Sequence, residues 1–298
     1  MRVCRDNVIY SFGADNPPAL RTALPARLTF ETQDCFGGQI KSSEDIVALV
    51  DFTRVNPATG PVYLAGIHPG DVLAVHIADI RVCSPGIMVA TPGAGLLGEL
   101  VTMPETKILD IYGGHVHFGG LSLPLAPMVG VIGVAPAGLG VSCGTPGSHG
   151  GNMDTILVAA GSTLFLPVAV EGALLAMGDL HALMGDGEIM VSGVEVAGEV
   201  DVTVTKAHGW QLEHPLVITP DQVAVIASAP TFDEAAEIAT RQMALWLQRE
   251  TGFSLNEAGM FLSAAGHLQV CQMVDPWKTS RMAVSRSLLR QLGVTAAF

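Results

Sequence analysis

The 298-residue sequence predicts a mainly β protein, built as stacked β-hairpins, a barrel or a sandwich, with one or two C-terminal helices. Short apolar runs separated by glycine and proline fill residues 1 to about 230, and such runs are typical of many short strands. Near residue 230, apolar residues at helical spacing replace these short runs. Because no long linker or internal repeat is present, we expect one domain over 1–298, with a β body at about 1–230 and a helical and mixed part at about 231–298.

The β body contains six runs that we interpret as strands. The longest, Val72–Val82, follows the turn signal His68-Pro-Gly-Asp71 and is apolar on both faces, which indicates burial on both sides. The other five are shorter and are separated by Gly or Pro: Met128–Val134, Thr163–Val170, Ala173–Met177, Glu188–Val196 and Glu199–Thr205.

Two capping boxes predict the helices. Thr231-Phe-Asp-Glu234 precedes apolar residues at helical spacing, and Gly252 is placed to end that helix. Ser254-Leu-Asn-Glu257 opens a shorter second helix that runs toward Ala264.

Charge and hydropathy narrow the possible partners. The net charge of −13 disfavours binding to nucleic acid. The mean hydropathy is high at +0.44, but the most apolar run, Leu121–Val141, is broken by three prolines, which argues against a membrane span. The N-terminal residues lack an apolar signal core. We therefore expect a cytoplasmic protein without a nucleic-acid or membrane partner.

The five cysteines are odd in number, widely spaced and without a CxxC pair. This pattern disfavours a structural zinc knuckle or a redox dithiol. Free thiols in a reducing cytoplasm are the simplest interpretation.

Polar residues concentrate in glycine-rich islands, although only 14% of the residues are charged. Carboxylates and imidazoles are the residue types that bind a divalent metal and activate water. The three main islands are Gly178–Glu188, Gly113–Gly120 and Pro146–Asp154, and a fourth is Phe30–Gly38.

Spacing within the islands favours a shared site. Asp179 and His181 are two residues apart and share a face if the chain is extended, and the same holds for His115 with His117 and for Asp186 with Glu188. Each pair alone is better explained as hydrogen-bonded buried polar residues, and it is the presence of three islands in one chain that favours a shared site.

Other polar residues also have two interpretations. Asn152 and Asp154 fit a site or an Asx-type turn, and Glu31 with Asp34 fits a site or a strand end. His76 is a core histidine or a strand-borne ligand, and His149 orients substrate or lies in a loop.

Nucleophile schemes fit the sequence less well than metal-assisted hydrolysis. A nitrilase-type cysteine amidase needs Glu, Lys and Cys together, but no island contains a lysine. The glycine- and serine-rich signature of a Ser-Ser-Lys amidase and the G-x-S-x-G elbow are both absent.

At these islands the chain resembles the acetamidase/formamidase family. The similarity runs from about residue 30 to about residue 275, with the motifs in the family's order. The matching motifs are Phe30–Phe36, Asn56–Val62, Pro69–Leu73, Gly113–Gly120, Gly130–Pro136, His149–Asp154, Leu166–Val168 and Gly178–Glu188. His267 departs from the pattern, because an acidic residue is usual there.

The resemblance implies hydrolysis of a small, acetamide- or formamide-like carboxamide to a carboxylate and ammonia. It also implies an all-β body with a small β subdomain and a divalent metal, Zn²⁺ or alternatively Ca²⁺. A homo-oligomer is implied as well; a dimer is the first expectation, although the sequence does not fix the subunit number.

Spacing and resemblance together give a hypothesis for the site. The expected metal ligands are Asp34, Asp154, Asp179 and His181, with His76 as a further candidate. A divalent cation lowers the pKa of bound water from about 15.7 to near 7. The expected general acid–base residue is Glu188 or Glu31. The expected oxyanion stabilisers are Asn152 or backbone N–H groups. The candidates for orienting the substrate are His115, His117 and His149.

Two alternatives remain open at this point. The same water chemistry would serve a hydrolase of another C–N bond, in a urea-like or carbamoyl substrate. The chain could instead be a metal-binding family member without catalytic activity.

Overall fold

The structure is a computed structural model that describes residues 1–294, and it confirms the mainly β class with C-terminal helices. Within these residues the strands form two nine-stranded sheets, one three-stranded sheet and one two-stranded sheet. No helix in this described part of the chain has the length and apolar run needed to cross a membrane.

The strands and helices are numbered here in chain order. The strands are β1 Arg2–Val3, β2 Val8–Ile9, β3 Ser11–Phe12, β4 Leu20–Ala23, β5 Ala26–Thr32, β6 Ala58–Ala65, β7 Val72–Val82, β8 Gly86–Ala90, β9 Glu105–Leu109, β10 Ile111–Tyr112, β11 His115–Phe118, β12 Leu121–Pro124, β13 Met128–Gly133, β14 Val141–Ser142, β15 Gly150–Asn152, β16 Thr163–Pro167, β17 Leu175–His181, β18 Glu195–Val196, β19 Gly198–Lys206, β20 Leu216–Ile218, β21 Gln222–Ala229, β22 Gly266–Gln272 and β23 Lys278–Ser285. The helices are α1 Phe232–Thr251, α2 Leu255–Ala265 and α3 Arg286–Gln291.

The two large sheets differ in how they are assembled. The first runs in the order β1-β5-β19-β7-β16-β20-β21-β23-β22. The second runs β15-β13-β17-β18-β8-β9, and β6 joins it by pairing with β17, β2 and β4. Strands β10–β12 form the small separate sheet, in keeping with the small β subdomain that the resemblance implies.

The main core lies between the two large sheets. It contains Val75 and Ile77 of β7, from the first sheet, together with Val62 of β6 and Met177 of β17, from the second. The sheets therefore pack face to face as a sandwich.

Alternate residues of the first sheet face a second core. In β21, Ala224 and Ile226 belong to the main core, whereas Val223 and Val225 pack with Trp246 of α1. Because successive strand side chains point to opposite faces, this sheet is covered by the second sheet on one side and by α1 on the other.

Both predicted capping boxes are present. The Thr231 hydroxyl accepts from the Glu234 N–H at the start of α1, and Ser254 accepts from the Glu257 N–H at the start of α2. Gly252 ends α1 in the left-handed conformation, with φ 76°.

Three sequence expectations need correction. The strand expected at Ala173–Met177 begins only at Leu175, because Ala173 and Leu174 have left-handed φ values of 58°, and it continues to His181. The strand expected at Glu188–Val196 is reduced to Glu195–Val196, since Glu188 and Val191 are also left-handed.

The third correction concerns β7, which was expected to be buried on both sides along its length. Its first four residues are buried, but His76 and several later residues are exposed. The second half of β7 lies in a part of the sheet that α1 leaves uncovered, so one face of the strand meets solvent.

Two glycines near the helices give a matched test of backbone conformation. Gly259 lies exposed inside α2 with no heavy atom within 4 Å of an added Cβ, so Gly259→Ala should raise the free energy of unfolding by about 0.5–1 kcal/mol. Gly252→Ala should lower it by about 1–2 kcal/mol, because its φ is left-handed. Urea unfolding measures the free energy of unfolding of both variants. If both substitutions change it by the same amount in the same direction, these backbone assignments are contradicted.

Candidate active site

The candidate site is built around β17 in the second sheet. Strand β13 pairs with β17 on one side and with β15 on its other edge, so that Val131 lies opposite both Gly178 and Asn152. Strand β18 also pairs with β17 and brings Glu195 opposite His181. This pairing gathers polar residues from three strands and the loops that follow them.

Five buried side chains form the central cluster. His181 Nε2 lies 3.1 Å from Glu195 Oε2, 3.5 Å from Asp179 Oδ1 and 3.9 Å from Asp154 Oδ1. One ligand atom each of Asp154, His181 and Glu188 also lie within 4.8 Å of one another. All five side chains are at most 7% exposed, so this is a carboxylate-rich cluster removed from solvent.

Two glycines make room for this cluster. A Cβ on Gly130 would overlap Asp154 Oδ1 and would lie 2.9 Å from Asp179 Oδ2. A Cβ on Gly193 would lie 2.6 Å from His181 Nδ1. The close approach of β13 and of the loop before β18 therefore requires glycine at both positions.

Three of the clustered carboxylate residues have a left-handed backbone. The φ values are 40° for Asp154, 54° for Asp179 and 48° for Glu188. Non-glycine residues adopt this region rarely and at a cost, and such strain concentrates at functional sites. The backbone is thus arranged to bring the carboxylates together.

Several buried oxygens of the cluster have no hydrogen-bond partner among the described residues. They are both carboxylate oxygens of Asp154, Asp179 Oδ1, Glu188 Oε2 and Glu195 Oε2. An unpaired buried acceptor costs roughly 1–3 kcal/mol, and more when it is charged. These oxygens are therefore left to be satisfied by bound protons or by a ligand that supplies positive charge.

Burial and mutual repulsion shift the ionisation of the cluster. Desolvation raises the pKa of Asp154 and of Glu188 well above the usual range, and neighbouring carboxylates add to both shifts. Desolvation raises the pKa of Glu195 to about 7. Burial lowers the pKa of His181, but Glu195 and Asp179 raise it more, and the net shift is upward.

The cluster opens into a cavity of about 420 Å³. Asp179, Glu188 and Glu195 reach its wall, whereas Asp154 and His181 lie behind it. The remaining wall is largely apolar and includes Phe36, Val47, Phe52, Val89 and Val191. A small molecule with an apolar end fits a cavity of this kind.

The structure brings two further predicted residues close to the cluster. Asp34 accepts N–H bonds from Phe36 and Gly38, while desolvation raises its pKa. Asn152 lines the cavity and donates from Nδ2 to Asp275 Oδ2 at 2.7 Å. One of the two amide hydrogens of Asn152 is therefore already engaged in a hydrogen bond with Asp275.

His149 lies behind this region. It is 6% exposed and edge-on to Phe12, and burial lowers its pKa to about 4. It does not line the cavity.

Four predicted site residues are not brought to the cluster. Glu31 faces away on β5 and pairs with Arg2 at 2.5 Å, in an ion network shared with Glu199. His76 is exposed on β7 and contacts Thr163. His115 and His117 lie in the small sheet, where His117 stacks on Tyr112. His267, which was noted only for its departure from the family pattern, also lies outside the cavity lining and is exposed on β22.

Asp186 has a structural contact instead of a place in the cluster. Arg281, which is 2% exposed, donates to both Asp186 oxygens at 2.8 and 2.6 Å. The Gly187 N–H donates to the Cys271 carbonyl at 2.7 Å. These contacts attach the Glu188 loop to the hairpin of β22 and β23.

Sequence reasoning missed three cavity residues. Glu195 is the one charged residue in Val194-Glu-Val196, and that isolation was its available signal. Asp275 lies in the turn between β22 and β23, and burial raises its pKa to about 8. Cys35 follows Asp34 inside a matched motif, but nothing local marks its thiol as part of the site.

The donor chemistry of the cluster fits a divalent cation. Carboxylate oxygens and imidazole nitrogen are ligands of Zn²⁺, and carboxylates alone also suit Ca²⁺. Asp154, Asp179 and His181 supply such donors, and their unpaired oxygens leave lone pairs for a cation.

Fold and cluster define a class: a two-sheet β protein with an acidic, histidine-containing buried site. The chain belongs to the acetamidase/formamidase family, whose profile matches residues 8–139 and 140–275. The crystal structure of an acetamidase from Bacillus halodurans is similar at 46% identity and a TM-score of 0.96, covering 99% of this chain and 100% of that one.

Two curated relatives are more distant. They are the formamidase of Methylophilus methylotrophus, at 27% identity, and the acetamidase of Mycolicibacterium smegmatis, also at 27%. The match to the formamidase covers 58% of this chain and 58% of that protein. The match to the acetamidase covers 68% of this chain and 67% of that protein. The chain thus spans little more than half of the formamidase's length.

Gly130→Ala tests the packing of the carboxylates. Neither Gly130 nor Gly185 has a left-handed φ, so alanine at either position adds only a methyl group. At Gly130 that methyl displaces Asp154 and Asp179, so if the cluster binds zinc, its affinity should fall about 10–100-fold. Gly185→Ala, with no atom within 4 Å of the added Cβ, is the control. Titration calorimetry measures both, and unchanged affinity in Gly130→Ala would show that this contact does not position the ligands.

Proposed function

We propose that this protein hydrolyses a small linear carboxamide to a carboxylate and ammonia, using a divalent cation. The observation that carries the proposal is the cluster of buried, unpaired carboxylates around His181, which opens into a small cavity. Family membership supports the substrate class. The similar acetamidase from Bacillus halodurans supports it further.

The cavity suits an amide with a short apolar substituent. Its apolar wall, with Phe36, Val47 and Phe52, receives the acyl side of the substrate. Glu188, Asn152 and Asp275 line the polar part and face the amide group. A volume of about 420 Å³ limits the substrate to a small molecule.

The proposed cation ligands are Asp154, Asp179 and His181, and Zn²⁺ is the first candidate because one ligand is an imidazole. When bound, the cation lowers the pKa of water and polarises the amide carbonyl. His181 binds as neutral imidazole, and its Nδ1 lies 3.2 Å from Met184 Sδ, which leaves Nε2 toward the carboxylates.

Glu188 is the proposed proton carrier. It lines the cavity, its Oε2 is unpaired, and burial raises its pKa well above its usual range, which favours proton transfer by this carboxyl group. It accepts the proton of the attacking water and delivers it to the amide nitrogen as the C–N bond breaks. Glu31 has no such part, because it lies in the surface ion network.

Removal of the cation gives the first test. The protein should release ammonia from formamide or acetamide, and exhaustive chelation should reduce turnover at least about 100-fold, with recovery on adding Zn²⁺. Full turnover by protein verified as metal-free would contradict the proposal. Release of ammonia only from urea or carbamoyl compounds would instead assign another C–N bond, and bound metal without any turnover would indicate a non-catalytic protein.

Substitution of Glu188 gives the second test. Glu188→Gln should lower kcat about 10²–10⁴-fold through loss of the proton carrier, while metal content measured by mass spectrometry stays unchanged. Glu31→Gln is the matched control and should keep the kcat of the unsubstituted protein. If Glu188→Gln loses the metal as well, Glu188 is a ligand and its assignment as base is wrong.

A further inference from the structure

A second group of metal-binding atoms lies beside the first. Cys35 Sγ and one carboxylate oxygen each of Asp179 and Glu195 lie within 4.8 Å of one another. All three residues are buried and all three line the cavity. The proposed hydrolysis gives no part to Cys35 or Glu195.

Two atoms of this second group are buried without partners. Asp179 and Glu195 are 3% and 2% exposed, and Asp179 Oδ1 and Glu195 Oε2 accept no hydrogen bond from the described residues. Glu195 Oε2 approaches His181 Nε2 at 3.1 Å as an ion-pair contact and not as a hydrogen bond. Buried acceptors beside a thiol are therefore left for a ligand that is positively charged.

The charge of the cluster exceeds what one divalent cation balances. Four carboxylates, those of Asp154, Asp179, Glu188 and Glu195, are buried around one imidazole. The ion pairs found for them in the described residues all involve His181. When all four are ionised, one divalent cation balances only two of them, and a thiolate at Cys35 adds a fifth negative charge beside them.

We propose that the cluster binds two divalent cations and that Cys35 is a thiolate ligand of the second, together with Asp179 and Glu195. The inference rests on the proposed cation binding at Asp154, Asp179 and His181, and Asp179 contributes to both positions. Cation binding displaces the thiol proton to solvent. A sulfur ligand makes the second position selective for Zn²⁺ or Co²⁺ over Ca²⁺ and Mg²⁺.

Cobalt substitution tests this proposal without measuring turnover. Metal-free protein is reconstituted with Co²⁺ in thiol-free buffer, and bound cobalt is counted by mass spectrometry. We expect about two equivalents, as in two-metal hydrolytic sites, and a near-ultraviolet thiolate-to-cobalt charge-transfer band. Cys35→Ser should lose the band and retain about one equivalent.

Cys143→Ser is the matched control, because Cys143 is also buried but packs in an apolar cluster with Phe12 and Val131. It should keep the band and both equivalents, and circular dichroism checks that each variant is folded. If Cys35→Ser does not fold, the cobalt count and the absorption spectrum of the unsubstituted protein still test the proposal. One equivalent without a charge-transfer band overturns the second position alone, as does a band that persists in Cys35→Ser. No cobalt binding at all overturns the proposed function too.

Discussion

Repulsion among buried carboxylates is the constraint on which the rest of this structure depends. Two unit charges about 4 Å apart interact by about 4 kcal/mol at the effective dielectric typical of proteins. Asp154, Asp179, Glu188 and Glu195 are all buried close to His181. Such a cluster is stable only if protons or cations neutralise it, and its unpaired oxygens favour cations.

The fold meets this constraint through strand pairing on both sides of β17 and through close backbone approaches. Strand β17 is held between β13 and β18, and glycines at 130 and 193 let neighbouring chain approach the carboxylates and the imidazole. The loop with Glu188 is tied to the C-terminal hairpin through Arg281 and Asp186. The helical end of the chain therefore belongs to the support of the site, because the hairpin that α1 covers also carries Asp275.

The sequence allowed the fold class and both long helices to be predicted, and it singled out Asp179 and His181, which the structure places together in the buried cluster. Asp179 and His181 stood out because a carboxylate and an imidazole two residues apart are unusual in an apolar strand. The strand interpretation of Glu188–Val196 failed because Glu188 and Val191 adopt left-handed conformations that residue type does not signal.

Other parts of the site depend on tertiary structure that local pattern does not encode. Glu195 lies opposite His181 because of the register with which β18 pairs with β17. Asp275 lies in the C-terminal hairpin, far along the chain, and contacts Asn152. The same limit applies to candidates that spacing suggested but that lie outside the cavity lining. His115 and His117 have suitable spacing, but they lie on the small sheet and do not line the cavity. Glu31 lies outside the cluster, because its side chain forms an ion pair with Arg2.

The most direct test of the central claim is anomalous diffraction from crystals of this protein grown with zinc. The account predicts an anomalous peak above the zinc absorption edge, bounded by Asp154, Asp179 and His181, which disappears below the edge. A well-ordered cluster with no such peak, its carboxylates bridged only by water or by one another through shared protons, would contradict it.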